Sequence, residues 1–471
     1  MGNGVLLKLT AIEKYFVFDQ SLDKPTTFSS IIKQNGNLDR ERMEKAYAAT
    51  LRIHPLYHSR VVAGSFDRYY WEPLDPIKWP TIEWLDGKID HRSKDSYMNL
   101  FLHAGVNLKI FIGETDTWFS FNTHHACSDG LGVVAFFKSL LLAYVNNCPP
   151  ELMEKTNPDH LKHRGRFGLS KWQWLKLCSK HRIDRELSKK FISTQPARLF
   201  PINKLKVTHS GLTHTTQTIQ IESKVNSSAM TVRISPEGNA SILSVAKRHD
   251  LKLNDWLVAC LFISLARWRR DIDPDSDSDM IRIGVPVNRR TRRTLSMPSC
   301  NMSSTFFLTC EQGKIHGGDE FFSYIKSYIE ELRRKDTSLS LYLTLTLSNI
   351  IPWVLKRQAP KPQYSATIFL TNLGKLRGRI KMKDGQISNW QDYGFSEVIT
   401  IPPMRPNAPA AISLSLRRNT IVMSLRYDDT EISAALAETL LRYFASEIGA
   451  GNHFVIRPFP EICHTPLSPS T

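Results

Sequence analysis

His124-His125-Ala126-Cys127-Ser128-Asp129-Gly130 sets two imidazoles, a thiol, a carboxylate and a glycine within seven residues. Imidazole titrates near neutrality, so it can accept a proton from a hydroxyl or amine attacking a carbonyl. A carboxylate four residues after the second histidine can lock the loop through a salt bridge. With 15 histidines in 471 residues, His-His-x-x-x-Asp-Gly arises by random placement about once in a thousand such chains. Two core histidines satisfied by backbone groups are the plainer alternative. Zinc binding is disfavoured because adjacent side chains on an extended segment diverge. Cys127, inside the variable triplet, reads as a packed thiol rather than a nucleophile. His54 and His58 have the spacing of metal ligands on a helix, but Pro55 breaks that helix. Asp271, Asp273, Asp275, Asp277 and Asp279 alternate like the start of a calcium loop. The pattern fails at its sixth and twelfth positions, Ser276 and Arg282, so a solvated acidic loop and no metal are expected.

These groups are useful only if rigid elements hold them. Thr117 to Thr123 is aromatic and partly alternating, as in a strand. Val133, Phe136, Phe137, Leu140, Leu141 and Tyr144 recur at helical spacing. The histidines therefore sit at the end of a strand, in a tight loop before a helix. Upstream, residues 39–51 read as a helix ended by Pro55, with a strand after it. Downstream, strand patterns at 215–221, 229–235, 281–288, 302–309, 365–371 and 411–427 mix with helical ones at 254–268, 319–335 and 433–448. Asn254 is placed to cap the first of these helices. Residues 338–355 lack charges, but Ser, Thr, Asn and Pro run through them, and Leu339, Leu341, Leu343, Leu345 and Leu347 alternate as in a half-buried strand rather than a membrane span. Between 150 and 206, 14 Lys or Arg face five Asp or Glu, which suggests a basic connection between lobes. The expected organisation is an α/β chain with an N-terminal lobe over 1–150, a connection over 151–206, a C-terminal lobe over 207–448 and an irregular tail over 449–471.

Hydrophobic residues make up 41% and charged residues 23% of the chain, which argues against disordered, fibrous and membrane-spanning classes. The net charge of +17 favours an anionic partner: a nucleic acid, a membrane surface, a phosphorylated cofactor or an acidic protein. No nucleic-acid motif accompanies the basic stretch or its Trp172 and Trp174, so no nucleic acid is expected. Seven cysteines with no CxxC pair fit a reducing, cytoplasmic setting. Met-Gly-Asn-Gly-Val-Leu opens the chain without a secretory run, and Leu6 stands where myristoylation wants Ser or Thr. Neither export nor a lipid anchor is expected.

The HHxxxDG signature resembles that of the chloramphenicol acetyltransferase-like acyltransferases. These include condensation domains, wax ester synthases, and polyketide-associated and alcohol acyltransferases. His54-Pro55-Leu56 with Arg60 resembles their early "HPxL…R" segment, and Gly284-Val285-Pro286-Val287-Asn288-Arg289-Arg290 their "GxPxxxR" strand. Asn301-Met302-Ser303-Ser304, Thr371-Asn372-Leu373-Gly374 and Leu425-Arg426-Tyr427-Asp428 resemble later segments, in the family's order. The resemblance spans roughly residues 10 to 448. The plant subfamily's DFGWG segment is absent, and Cys300 stands where a glycine is common.

The resemblance implies a two-lobed coenzyme A-dependent acyltransferase-like fold with a tunnel at the lobe interface. His125 would be the general base, with His124 beside it. Asp129 would be structural, paired with Arg290 or Arg60, and Gly130 would allow the tight turn and a close approach of substrate. Asn301, Ser304 or Asn372 would help hold the oxyanion or substrate. No bound cofactor is implied. An acyl-coenzyme A or acyl-carrier thioester would be the cosubstrate, and a small-molecule or lipid alcohol or amine the acceptor. A carrier protein and peripheral membrane contact are further partners to test. The alternatives are a condensation-type amide or ester former served by carrier proteins in trans, and a non-catalytic binding relative.

Overall fold

The computed structural model describes residues 6–464, apart from 37, 91–96, 151–154, 182–183, 185, 187–188, 190, 192, 201–226, 351–364, 377–378, 382–385 and 407. The strand expected at 215–221 lies outside the described residues.

Two mixed-topology sheets with helices on their faces form two lobes. In the first, five strands run in the spatial order Phe395–Ile401, Thr27–Asn35, Asp116–His124, Val106–Ile112, Ile82–Asp86. Asp116–His124 is central and antiparallel to both neighbours. Its side chains alternate between two buried faces, which is why large aromatic residues, Trp118 on one face and Phe119 and Phe121 on the other, are tolerated along it. Phe119 and Phe121 enter the N-terminal core, whereas Trp118 packs with Ile399, Val422 and Phe459 towards the other lobe. Phe121 stacks on Phe136 of helix Gly130–Asn146 with ring centres 4.9 Å apart. Helix Arg40–Ile53 starts where Asp39 accepts from the Arg42 amide and ends at His54, before Pro55. The second lobe has seven strands in the order Ser303–Glu311, Met280–Asn288, Ile368–Lys375, Ala410–Arg417, Thr420–Tyr427, Ser228–Ile234, Phe454–Pro458. Its core includes residues of helices Pro236–Arg248, Leu253–Ile272, Asp319–Arg334 and Ala434–Glu447.

The structure differs from the sequence reading at several points. Residues 337–350 form a helix, not a strand. Leucine at every second position also satisfies i, i+4 spacing. Asp336 Oδ1 accepts from the Leu339 amide and the Ser338 hydroxyl at the start of the helix, and Leu339 and Tyr342 are buried in the N-terminal core. Asn254 is not the cap of its helix. Lys252 occupies that position without a side-chain bond, and Asp255 in the first turn pairs with Arg333 at 2.6 Å. Residues 454–458 form an edge strand within the expected tail, antiparallel to Ser228–Ile234, with Ile456 buried and Val455 and Arg457 exposed. The lobes do not divide cleanly by position, since strand Phe395–Ile401 pairs with Thr27–Asn35 of the N-terminal sheet.

Part of the basic connection is used in packing. Arg164 is buried, with Nε 2.6 Å from Glu13 Oε1 and Nη2 2.7 Å from Glu13 Oε2. Trp174 packs its ring on Phe167 and Tyr342, while Trp172 is exposed. In the acidic loop, Asp277 pairs with Arg270 and Asp279 with Arg269. No metal-binding cluster of His, Cys, Asp or Glu occurs among the described residues. No helix among them is long and apolar enough to cross a membrane.

Candidate active site

The last residue of strand Asp116–His124 lies opposite Thr27, and the His125 amide donates to the Thr26 carbonyl at 3.1 Å. Consecutive side chains there point apart, which separates the two histidines. His124 is fully buried. Its Nδ1 accepts from the Ala126 amide at 3.1 Å, which leaves the proton on Nε2, 3.1 Å from the Thr26 hydroxyl. Both nitrogens are spent, and burial together with the neighbouring His125 lowers its pKa to about 3. His124 therefore positions the strand end and is not free to take a substrate proton.

His125 is half-buried and lines a cavity of about 860 Å³, open mouths included, whose wall comes from both lobes. Phe16 stacks on its ring at 4.3 Å and Phe28 tilts against it at 5.2 Å. Asn301 Nδ2 lies 2.9 Å from the His125 carbonyl and 3.0 Å from Nδ1. Asn301 Oδ1 accepts from the Ser303 amide and hydroxyl, which fixes the orientation of the amide. Nε2 makes no hydrogen bond with a described residue. Burial lowers the imidazole pKa to about 4, against the opposing pull of Asp129 and of the His125 and Ser128 carbonyls, so the ring is neutral at pH 7.

Asp129 ends the loop and caps helix Gly130–Asn146, accepting from the Gly132 amide at 2.8 Å. Its other oxygen accepts from Arg290 Nη1 and from the Met302 amide, each at 2.8 Å. Burial alone would raise this carboxyl, but Arg290 and the two amides outweigh it and hold the pKa below the usual range. Arg290 also donates to the Cys300 carbonyl at 2.8 Å. Arg60 is not the partner: it pairs with Glu72 at 2.7 Å, and both side chains are partly exposed. A Cβ on Gly130 would lie 2.6 Å from Leu373 Cδ2 across the lobe interface, so a side chain there would make the Leu373 tip shift. His54 is also part of the scaffold. Its Nδ1 accepts from the Ser299 amide at 2.8 Å and its Nε2 bonds Ser139 at 3.0 Å. Cys127 is buried, and burial pushes its thiol pKa far up, so it is no nucleophile.

The three residues expected to hold substrate or oxyanion separate. Asn301 holds His125 instead. Ser304 gives its hydroxyl to the Ser338 carbonyl at 2.6 Å, away from the cavity. Asn372 lines the cavity, with Oδ1 accepting from the Gly374 amide and Nδ2 unspent among the described residues. Sequence reading missed Phe16, Ser303 and Arg405, which also line it. Ser303 lay inside the Asn301-Met302-Ser303-Ser304 segment without being singled out, and no local signal marked Phe16 or Arg405.

No family model matches the chain. Uncharacterized proteins from two Mycobacterium tuberculosis strains are each 21% identical over 389 residues, covering 79% of this chain and 83% of theirs. Among solved structures, the condensation domain of the Monacolin K polyketide synthase superposes with a TM-score of 0.63 at 15% identity, covering 96% of this chain and 98% of that one. The trichothecene 15-O-acetyltransferase of Fusarium sporotrichioides gives 0.63 at 11% identity, covering 94% of each chain. Polyketide synthase associated protein 5 from Mycobacterium tuberculosis gives 0.58 at 14%, covering 94% of this chain and 98% of that one. The chain has the condensation-domain and acyltransferase fold. Within this two-lobed fold, the HHxxxDG loop belongs to the N-terminal lobe, and its aspartate is tied to Arg290 and Met302 of the chain's second half.

Proposed function

We propose that the protein is an acyltransferase that moves an acyl group from a thioester to a hydroxyl or amine, with His125 as general base. The observation that carries this reading is a neutral imidazole whose Nε2 has no described hydrogen-bond partner, on the wall of a cavity lined by both lobes. This role requires the neutral tautomer protonated on Nδ1, which the pull of the His125 and Ser128 carbonyls favours, with Asn301 Nδ2 donating to the His125 carbonyl alone. As the acceptor attacks the thioester carbonyl, its proton then passes to Nε2. The tetrahedral intermediate then collapses, the C–S bond breaks, and the imidazolium returns the proton to the leaving thiolate. Asn372 Nδ2 is the candidate donor to the oxyanion, because Asn301 and Ser304 are otherwise engaged.

Ester formation with coenzyme A as the thiol carrier is the favoured version. The likeness to an O-acetyltransferase supports it, and the +17 charge suits the coenzyme's phosphates. The second version takes its acyl group from a carrier protein, and the likeness to a polyketide synthase condensation domain supports it. The test presents one acyl group on coenzyme A and on an acidic carrier protein, with a panel of alcohols and amines, and follows thiol release together with product mass. Transfer from coenzyme A is expected. Transfer from the carrier alone selects the second version, and release from neither overturns acyl transfer.

A further inference from the structure

Arg405 comes from the connection between strands Phe395–Ile401 and Ala410–Arg417 and lines the same cavity as His125. Its side chain is 12% exposed and reaches across to helix Ala11–Phe18. Nε and Nη2 lie 3.0 and 2.8 Å from Asp19 Oδ2, and Nη2 also donates to the Tyr15 hydroxyl. The guanidinium carbon is 5.4 Å from the centre of the Phe16 ring and 5.3 Å from that of Phe369. Phe16 is also the ring on which His125 stacks. The proposed base and this cation therefore share one aromatic neighbour.

Asp19 and Tyr15 occupy one edge of the guanidinium. Nη1, with two N–H groups, has no acceptor among the described residues. Much of the surrounding wall is apolar, including Phe369, Pro402, Pro403, Ala408 and Ala411. In such a wall an unspent donor is costly unless an oxygen meets it, and a charged donor meets an anionic oxygen best. The other polar groups compete poorly. Arg290 is engaged by Asp129 and the Cys300 carbonyl, Ser303 donates to Asn301, His125 is neutral at pH 7, and Asn372 offers only an uncharged amide, assigned above to the oxyanion.

We propose that Arg405 is a substrate-binding subsite whose Nη1 takes a carboxylate carried by the acyl group or the acceptor, away from the reacting carbonyl. The proposal rests on reading the cavity as the acyl-transfer site. On that reading, substrates with a remote carboxylate are preferred over their methyl-ended counterparts.

The test is equilibrium binding to the full chain of two matched pairs. Adipyl- and hexanoyl-coenzyme A probe the acyl side, and 6-hydroxyhexanoate and hexanol probe the acceptor side. At least one carboxylated ligand is expected to bind about 10-fold or more tightly than its partner. That preference should vanish in Arg405→Met and survive in part in Arg405→Lys. If loss of the Arg405 charge beside Asp19 unfolds the single variant, Asp19→Asn/Arg405→Met removes both charges and should lose the same preference. Binding without any carboxylate preference, or a preference unchanged in the Arg405 variants, overturns the subsite alone. Failure of all four ligands to bind overturns both the subsite and the acyl-transfer reading of the cavity.

Discussion

Replacing Asp129 by alanine removes an acceptor that three donors share: the Gly132 amide, the Met302 amide and Arg290 Nη1. Loss of the helix cap costs about 1 kcal/mol, and the orphaned Met302 amide about 1–3 kcal/mol. Arg290 keeps its bond to the Cys300 carbonyl and is 22% exposed, so water partly compensates it. These two terms sum to about 2–4 kcal/mol, and the partly compensated Arg290 charge brings the loss towards the roughly 3–5 kcal/mol of a broken buried pair. With a urea slope of about 1–3 kcal/mol per molar, the unfolding midpoint should fall by about 1 M or more. Arg60→Ala is the internal control. The Arg60–Glu72 pair has side chains 42% and 37% exposed, so its loss should cost less than about 1 kcal/mol. An unchanged midpoint for Asp129→Ala, or an equal loss in Arg60→Ala, would refute the structural role given to this carboxylate.

Two further outcomes follow from the histidines and their neighbours. Burial depresses the folded-state pKa values of His54 and His124 to about 3, against an ordinary 6.5. The unfolded chain therefore takes up protons first. The stability these groups contribute is full above pH 6.5 and is lost as pH falls towards 3. Between pH 7 and 5 each should cost about 2 kcal/mol, so equal urea midpoints at the two pH values would contradict their buried neutral state. Asn301→Asp replaces the amide nitrogen beside His125 Nδ1 with a charged oxygen, which should raise the imidazole pKa by about 1–3 units. The acid limb of kcat/KM should then move up from near pH 4, and an unmoved limb would show that Asn301 does not set the state of His125.

The strand, loop and helix around the histidines were legible because their signals are local: aromatic alternation, then helical spacing. The partner of Asp129 was not. Arg60 and Arg290 both occupy motif positions, and the choice depends on Arg290 lying within 2.8 Å across the lobe interface. Ser303 and Ser304 were separated only by register. Ser304 is opposite Val287 and faces the Ser338 carbonyl, which leaves Ser303 for the cavity. Leucine alternation over 339–347 fits a strand and a helix equally, and tertiary packing made it part of helix Thr337–Ile350. Arg405 sits in a proline-rich connection without periodicity, and the Asp19 that orients it is 386 residues away in the chain.

The central claim is that His125 transfers the proton during acyl transfer. Single-turnover acyl transfer by His125→Gln and wild type, with the same thioester and acceptor, tests it directly once folding of both has been matched by thermal melting. The account predicts a rate about 10² to 10⁴-fold lower for the variant at an unchanged melting profile. Equal rates in the two proteins would contradict it.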